Sequence, residues 1–273
     1  MAGSQKPAGE RVRIDASRAH MARVYDYWLD GKDNYAADRA VGDQVAAVYP
    51  DIRDAVRAQR AFLARAVEFL VTEAGIRQFL DIGTGLPSAN NTHQVAQQAA
   101  PESRVVYVDN DPIVLAHARA LLTSSPEGAT TYIDADLRDT GAILQGAAGT
   151  LDFGQPVAVM LLGILQGIPD REEPGAIIAR LTDAVPPGSY LAITQIAADV
   201  AADEVAQGVQ RYNAQAAAPV AARTHEEASR FFAGLDLVEP GLVQVHRWRP
   251  AAADSGSDRN LAIYAGVGRK TMS

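Results

Sequence analysis

From residue 77 onward, short apolar runs alternate with amphipathic stretches, and this alternation constrains the fold more than any other feature of the chain. The runs fall at 77–82, 105–109, 130–133, 157–162 and 190–196, each rich in Val, Ile, Leu and Tyr and of strand length. Helical patterns fit between them at 92–100, 112–123, 138–147 and 172–184. Parallel strands cannot be joined by tight turns, so helices inserted between strands imply crossover connections and a parallel sheet. The predicted fold class is therefore α/β with a Rossmann-like sheet. After the fifth run come two helix-prone stretches, 201–217 and 224–232, the second capped by Thr224 with Glu227 three residues later. Two closing strands, 237–245 and 261–266, follow with a flexible turn at 251–259, and they suit an antiparallel pair at the sheet edge.

The first quarter of the chain reads differently. Residues 1–13 are polar with Gly and Pro, which predicts a disordered tail. Met21, Val24, Tyr25, Trp28 and Leu29 then share one helical face, and Gly31 reads as the stop. Asp33 or Asn34 can begin a second helix running to 48, and a third covers 52–73 with Val56, Phe62, Leu63, Val67 and Leu70 inward. With 273 residues, 48% of them hydrophobic, the chain can build one substantial core but hardly two. The expected organisation is a tail plus helical cap over 1–75 and a ligand-binding core over 76–273.

The first apolar run ends in Asp81-Ile82-Gly83-Thr84-Gly85. In open α/β sheets, ligands bind at the carboxyl ends of strands where the chain order reverses. Two glycines let the backbone turn there and approach a ligand closely. A bare G-x-G serves many strand-to-helix turns, and the third glycine of a dinucleotide loop is replaced by Ser88. The acids carry more weight. Asp81 ends the first strand, Asp109 ends the second 24 residues after Gly85, and Asp136 follows the third. Three carboxylates at successive strand ends repel a phosphate and suit a cationic sulfonium with an amino acid tail.

The segments FLDIGTGLP, VVYVDNDP and YIDADLRD resemble motifs I, II and III of class I S-adenosylmethionine-dependent methyltransferases. ARVYDYWLDGKDNYAADR, GIRQFLDIGTGLPSANNTHQVAQ and PPGSYLAIT further resemble one actinobacterial family of these enzymes, mostly without assigned substrates. The resemblance runs from about Ile14 to the last strand. It implies the class I sheet, mostly parallel with an antiparallel last strand, behind an N-terminal helical extension. It also implies S-adenosyl-L-methionine as cofactor and S-adenosyl-L-homocysteine as product. On this resemblance Asp81, Gly83, Thr84 and Gly85 line the methionine and ribose, and Asp109 takes the ribose hydroxyls. Asn110 borders the adenine, Asp136 meets its amino group with the Leu137 N–H nearby, and Gly163 lies beneath the methyl donor. The motif departs from the common form at Pro87, where a small residue is usual.

Composition removes whole mechanisms. Zero cysteines exclude disulfides, thiolate zinc sites, cysteine nucleophiles and iron–sulfur radical chemistry. The five histidines, His20, His93, His117, His225 and His246, form no metal-binding spacing, so no metal is expected. A net charge of −8 with no basic cluster argues against nucleic acid. No apolar run spans a bilayer and the first residues, MAGSQKPAGERVR, carry no apolar signal-peptide core, which predicts a cytoplasmic protein with no membrane partner. A homo-oligomer stays open.

The expected partner is a small-molecule methyl acceptor. After the fourth strand stands Gly163-Ile164-Leu165-Gln166-Gly167, not the Asp/Asn-Pro-Pro-aromatic signature of many enzymes that methylate amides and exocyclic amines. Gln166 is a candidate acceptor contact, as are Tyr25, Asn34 and Tyr35 around the Gly31 turn and Tyr212 after the fifth strand. Two alternatives remain: a catalytically silent S-adenosylmethionine sensor or partner protein, and a nicotinamide-dependent oxidoreductase, which Ser88 and the acid after the third strand disfavour.

Overall fold

A computed structural model describes residues 15–87, 90–121, 124–250 and 259–272 of the chain. The tail expected at 1–13, Ser88 and most of the turn expected at 251–259 lie outside the described residues. Five strands run parallel: β1 (Gln78–Ile82), β2 (Arg104–Asp109), β3 (Ala129–Asp134), β4 (Ala158–Leu162) and β5 (Tyr190–Ile196). Three further strands close the sheet: the short β6 (Asp236–Leu237) and β7 (Val243–Gln244), and the longer β8 (Ile263–Arg269). The order is β3-β2-β1-β4-β5-β8-β6, with β7 also on β8. The last strand enters antiparallel beside β5, with Tyr190 opposite Arg269 and Ile196 opposite Ile263.

The helices are α1 (Met21–Trp28), α2 (Ala36–Ala46), α3 (Ile52–Thr72), α4 (Thr92–Ala99), α5 (Pro112–Leu121), α6 (Thr140–Ala147), α7 (Pro174–Asp183), α8 (Ala202–Asn213) and α9 (His225–Ser229). The chain leaves β1 toward β2 on one side and returns to β4 on the other, so the switch point of the sheet lies at the carboxyl end of β1. Every residue of β1 is buried, as a central strand covered on both faces requires.

Two elements differ from the sequence reading. The penultimate strand, expected as one run over 237–245, is split into β6 and β7, both antiparallel to β8. Pro240 offers no N–H to a ladder, and Gly241 at φ +88° turns the chain. The helix expected over 201–217 ends at Asn213. There the Asn213 side chain closes the following loop, donating to the Val220 carbonyl at 2.9 Å and accepting its N–H at 2.8 Å.

Among the described residues two large apolar clusters, with a small third of Leu86, Ile113 and Val114, organise the interior. The larger joins the sheet to α3 through Phe62, Leu63, Val67 and Leu70, each such side chain contributing about 1.5–3 kcal/mol when fully buried. Trp248 packs edge-on against Phe62 at 5.1 Å. The smaller cluster gathers Val24 and Trp28 of α1, Val41 and Val45 of α2, Val56, and Tyr212 of α8. A buried ion pair ties this cap together, with Arg23 Nε 3.0 Å from Asp38 Oδ2. The same carboxylate accepts the His20 N–H at 2.9 Å and the Tyr35 N–H at 2.8 Å, so its desolvation is compensated on both oxygens. Among the described residues, no helix is long and apolar enough to cross a membrane.

Candidate functional site

A cavity of about 490 Å³ opens at the carboxyl ends of β1, β2 and β4, beneath α1, α3 and the loop after α8. Its volume lies in the ~300–1,000 Å³ range of small-molecule sites. Asp81, Gly83, Thr84, Gly85, Asp109, Asn110, Asp136, Leu137 and Gly163 all line it, together with Tyr25, Gln166 and Tyr212.

The glycine loop is pinned where it leaves β1. Gly83 N–H donates to the Val108 carbonyl at 2.8 Å, and Thr84 Oγ1 lies 2.7 Å from the Tyr132 hydroxyl. Gly83 has φ +74°, and a Cβ there would stand 2.7 Å from Ile164 Cβ. Two constraints therefore select glycine. At Gly85, φ +64°, a Cβ would meet nothing within 4 Å. That open space faces the cavity side of a backbone turn, where a ligand can approach.

The acids differ in environment. Asp81 is buried and accepts a hydrogen bond from Thr92 Oγ1 at 2.5 Å. Burial pushes its carboxyl up to about 6 and the nearby Asp109 adds to this, while the Thr92 bond and the Arg60 charge oppose it. Asp109 is buried too, with Oδ2 accepting the Gly85 N–H and Oδ1 the Asp111 N–H, both at 2.9 Å. Burial raises it, and those two bonds pull the other way. Asp136 is more open, accepting from Asn110 Nδ2 at 2.9 Å and pairing with Arg138 at 3.1 Å. Arg138 also reaches Glu172 Oε2 at 2.5 Å.

Tyr25 donates its hydroxyl to the Val56 carbonyl at 3.1 Å, and burial pushes its phenol up, as it does for Tyr212. Both remain neutral walls. Asn34 and Tyr35 do not line the cavity. Asn34 Nδ2 instead donates to Asp26 Oδ2 at 2.9 Å and to the Gly31 carbonyl at 3.0 Å. Tyr35 precedes α2 with its ring 5.4 Å from the Arg23 guanidinium. The Gly31 turn orders these side chains for packing between α1 and α2, because its polar tips satisfy local backbone groups first.

Several lining residues escaped the sequence reading as site residues: His20, Gln59, Arg60 and Arg138. His20 Nδ1 lies 2.9 Å from Asp111 Oδ2 and joins the cap to the end of β2. Arg60 donates to Asn91 Oδ1 at 2.7 Å, tying α3 to the residue before α4. Gln59 carried a readable signal, since it falls between Val56 and Leu63 on the inward face of α3.

These features fit an adenosyl sulfonium with an amino acid tail. Carboxylates stand at two strand ends, an open glycine backbone lies between them, and the lining carboxylates Asp26, Asp33, Asp81, Asp109 and Asp136 outnumber Lys32, Arg60 and Arg138. The parallel sheet ending in an antiparallel strand inserted beside β5, with this loop at its switch point, defines a class I S-adenosylmethionine-dependent methyltransferase. In fold the chain is similar to the plantazolicin methyltransferase BpumL, crystallised with S-adenosylhomocysteine and a substrate analogue, at 12% identity, TM-score 0.53, over 92% of this chain and 96% of that one. The chain belongs to the S-adenosyl methyltransferase family whose model matches residues 7–271, and its methyl donor is S-adenosylmethionine.

Two crystal structures are much closer. A DUF574 family protein from Streptomyces avermitilis MA-4680 is 48% identical over 94% of this chain and 100% of that one, TM-score 0.91. A methyltransferase candidate from Thermobifida fusca YX is 40% identical over 94% and 97%, TM-score 0.86. No curated protein matches the chain in sequence.

Proposed function

We propose that this methyltransferase acts on a small-molecule acceptor held between the cap and the end of β4. The observation that carries the reading is the single cavity shared by the glycine loop, Asp81 and Asp109 on one side and by Tyr25, Gln166 and Tyr212 on the other. A cofactor seated along the loop leaves only a compact space under α1 and α3 for the acceptor.

In this reading Asp109 accepts the ribose hydroxyls on lone pairs left free by its two backbone bonds. Asp81 faces the ammonium end, and Gly83, Thr84 and Gly85 shape the wall without side-chain obstruction. Asn110, Asp136 and the Leu137 N–H border the adenine, and Gly163 floors the space near the transferred group. When bound, S-adenosylmethionine supplies an electrophilic methyl group that leaves by in-line displacement, with S-adenosylhomocysteine as product. The chain's contribution is to hold the acceptor in line and exclude water, an effect that reaches roughly 7–11 kcal/mol for well-oriented reactants. Asn34 and Tyr35 act on the pocket only through the turn they build.

Calorimetry with S-adenosylmethionine, S-adenosylhomocysteine and NAD tests the cofactor seat. The two adenosyl ligands are expected to bind, and binding of NAD alone would refute the site. Release of S-adenosylhomocysteine against size-fractionated cell extract tests the acceptor: turnover confined to the macromolecular fraction sinks the small-molecule reading, and no turnover in any fraction favours a sensor.

A further inference from the structure

The end of β4 carries two buried amides. Gln59 and Gln166 are each 8% exposed, and both line the cavity. Gln166 Nε2 donates to the Gly163 carbonyl at 2.6 Å. A carbonyl only accepts, so this bond fixes which end of the amide points where. Its Oε1 is left buried with no hydrogen-bond partner among the described residues. Leaving such an atom unmet costs about 1–3 kcal/mol, which a ligand donor in the cavity would recover. Gln59 stands beside it, with Nε2 2.5 Å from where a Cβ on Gly163 would lie.

The segment holding Gln166 is rigidly set. Arg223 donates to the Leu165 carbonyl at 3.0 Å and the Ile168 carbonyl at 2.6 Å, and Ala221 N–H donates to the Gln166 carbonyl at 2.8 Å. Ile164 packs directly over Gly83, so the two glutamines flank the glycine loop on the β4 side, across β1 from Asp109.

We propose that Gln166 Oε1 is the seat for an N–H of the methyl acceptor, and that the acceptor's nucleophile is a neutral amine nitrogen. This rests on the cofactor lying along the glycine loop. An amide oxygen accepts a hydrogen bond but takes no proton, so it orients a nucleophile that already has a free electron pair. A hydroxyl needs a base, and the groups beside Gln166 at the end of β4, the Gln59 amide and the Gly163 carbonyl, take up no proton. A carboxylate nucleophile would face the Gln166 oxygen and be repelled. In the step, the amine lone pair forms the N–CH₃ bond and the S–CH₃ pair stays on sulfur as the thioether. The surplus proton of the methylated ammonium passes to water.

The test incubates the full chain with S-adenosylmethionine labelled with carbon-13 in its methyl group and a small-molecule extract of Streptomyces avermitilis, and reads the transferred methyl by its carbon-13 shift. An N–CH₃ signal is expected. An O–CH₃ or C–CH₃ signal overturns the proposal while leaving the small-molecule reading intact, and no labelled product overturns both. Gln166→Met, of similar volume, is expected to lower transfer about tenfold or more while S-adenosylmethionine affinity stays within about twofold. An equal loss of cofactor affinity would assign Gln166 to the cofactor instead and refute the proposal. The bound cofactor affinity also reports that the variant is folded.

Discussion

Cofactor affinity should fall as the solution is acidified, and Asp81 sets where. Its carboxyl is held at about 6 by burial, against 3.8 in the unfolded chain. A cationic ligand beside it favours the ionised form, so binding near pH 6 releases a proton. A group with this value is about 97% ionised at pH 7.5 and about 9% at pH 5. Affinity for S-adenosylmethionine should therefore drop about tenfold, or about 1.4 kcal/mol, between those conditions. The free protein should show the opposite trend. Because the folded value is raised, the stability tied to protonated Asp81 is fully present below pH 3.8 and lost as pH rises through about 6, a change of about 3 kcal/mol. The assay is calorimetry in buffers of different ionisation enthalpy, which counts the released proton directly. Asp81→Asn keeps an oxygen for the Thr92 hydroxyl, so it should fold, bind more weakly at pH 7.5 and lose the pH dependence. Flat wild-type affinity from pH 5 to 7.5, or the same fall in the Asn variant, would show that Asp81 does not meet the cation. The variant also separates Asp81 from Asp109, whose carboxyl burial likewise raises.

Three further outcomes follow from the geometry. Asp109→Ala removes the acceptor for the Gly85 and Asp111 N–H groups and the proposed ribose contact, so cofactor binding should weaken by about 1–3 kcal/mol; unchanged affinity by calorimetry would move the ribose elsewhere. Gly83→Ala forces a Cβ to within 2.7 Å of Ile164 at φ +74° and should lower Tm, whereas Gly85→Ala meets nothing within 4 Å and should cost only the ~1–2 kcal/mol of a left-handed residue while blocking cofactor; equal Tm losses would contradict that contrast. Arg223→Met leaves the Leu165 and Ile168 carbonyls without their donor and should destabilise by roughly 1–3 kcal/mol, seen as a Tm drop of about 2–4 °C per kcal/mol; an unaltered Tm would mean the 165–168 turn holds itself.

The sheet was legible because its signal is periodic and local. The strand from 78 to 82 lies inside the run read at 77–82, and β5 coincides with the run at 190–196. The closing strands were harder, since β6 and β7 have two residues each and owe their strand character to β8 more than to their own pattern. In the site, the glycine loop and its acids could be read because backbone geometry and charge are written in consecutive residues. Gln59 and Arg60 could not be placed so easily. They belong to a helix that also packs in the main core, and only the tertiary fold brings its middle over β4. That Asn34 and Tyr35 stand outside the cavity lining has a physical origin: polar residues at a helix–helix turn compete first for unsatisfied local groups. Asp26 and Asp38 claim them before any ligand can.

The second apolar cluster has a thermodynamic consequence of its own. It unites two stretches nearly two hundred residues apart in the chain, clasped where Ala217 N–H meets the Ala19 carbonyl at 2.9 Å. Most of its buried members are distinct from those of the sheet core. Such a partition is expected to let α1, α2 and α8 open together at a lower free energy than global unfolding. Solvent exchange of amides in these helices would then report that local opening. Trp28, Tyr212 and the Arg23–Asp38 pair lie inside this unit and should hold it together as it opens, so its amides should share one level of protection, below that of the central strands.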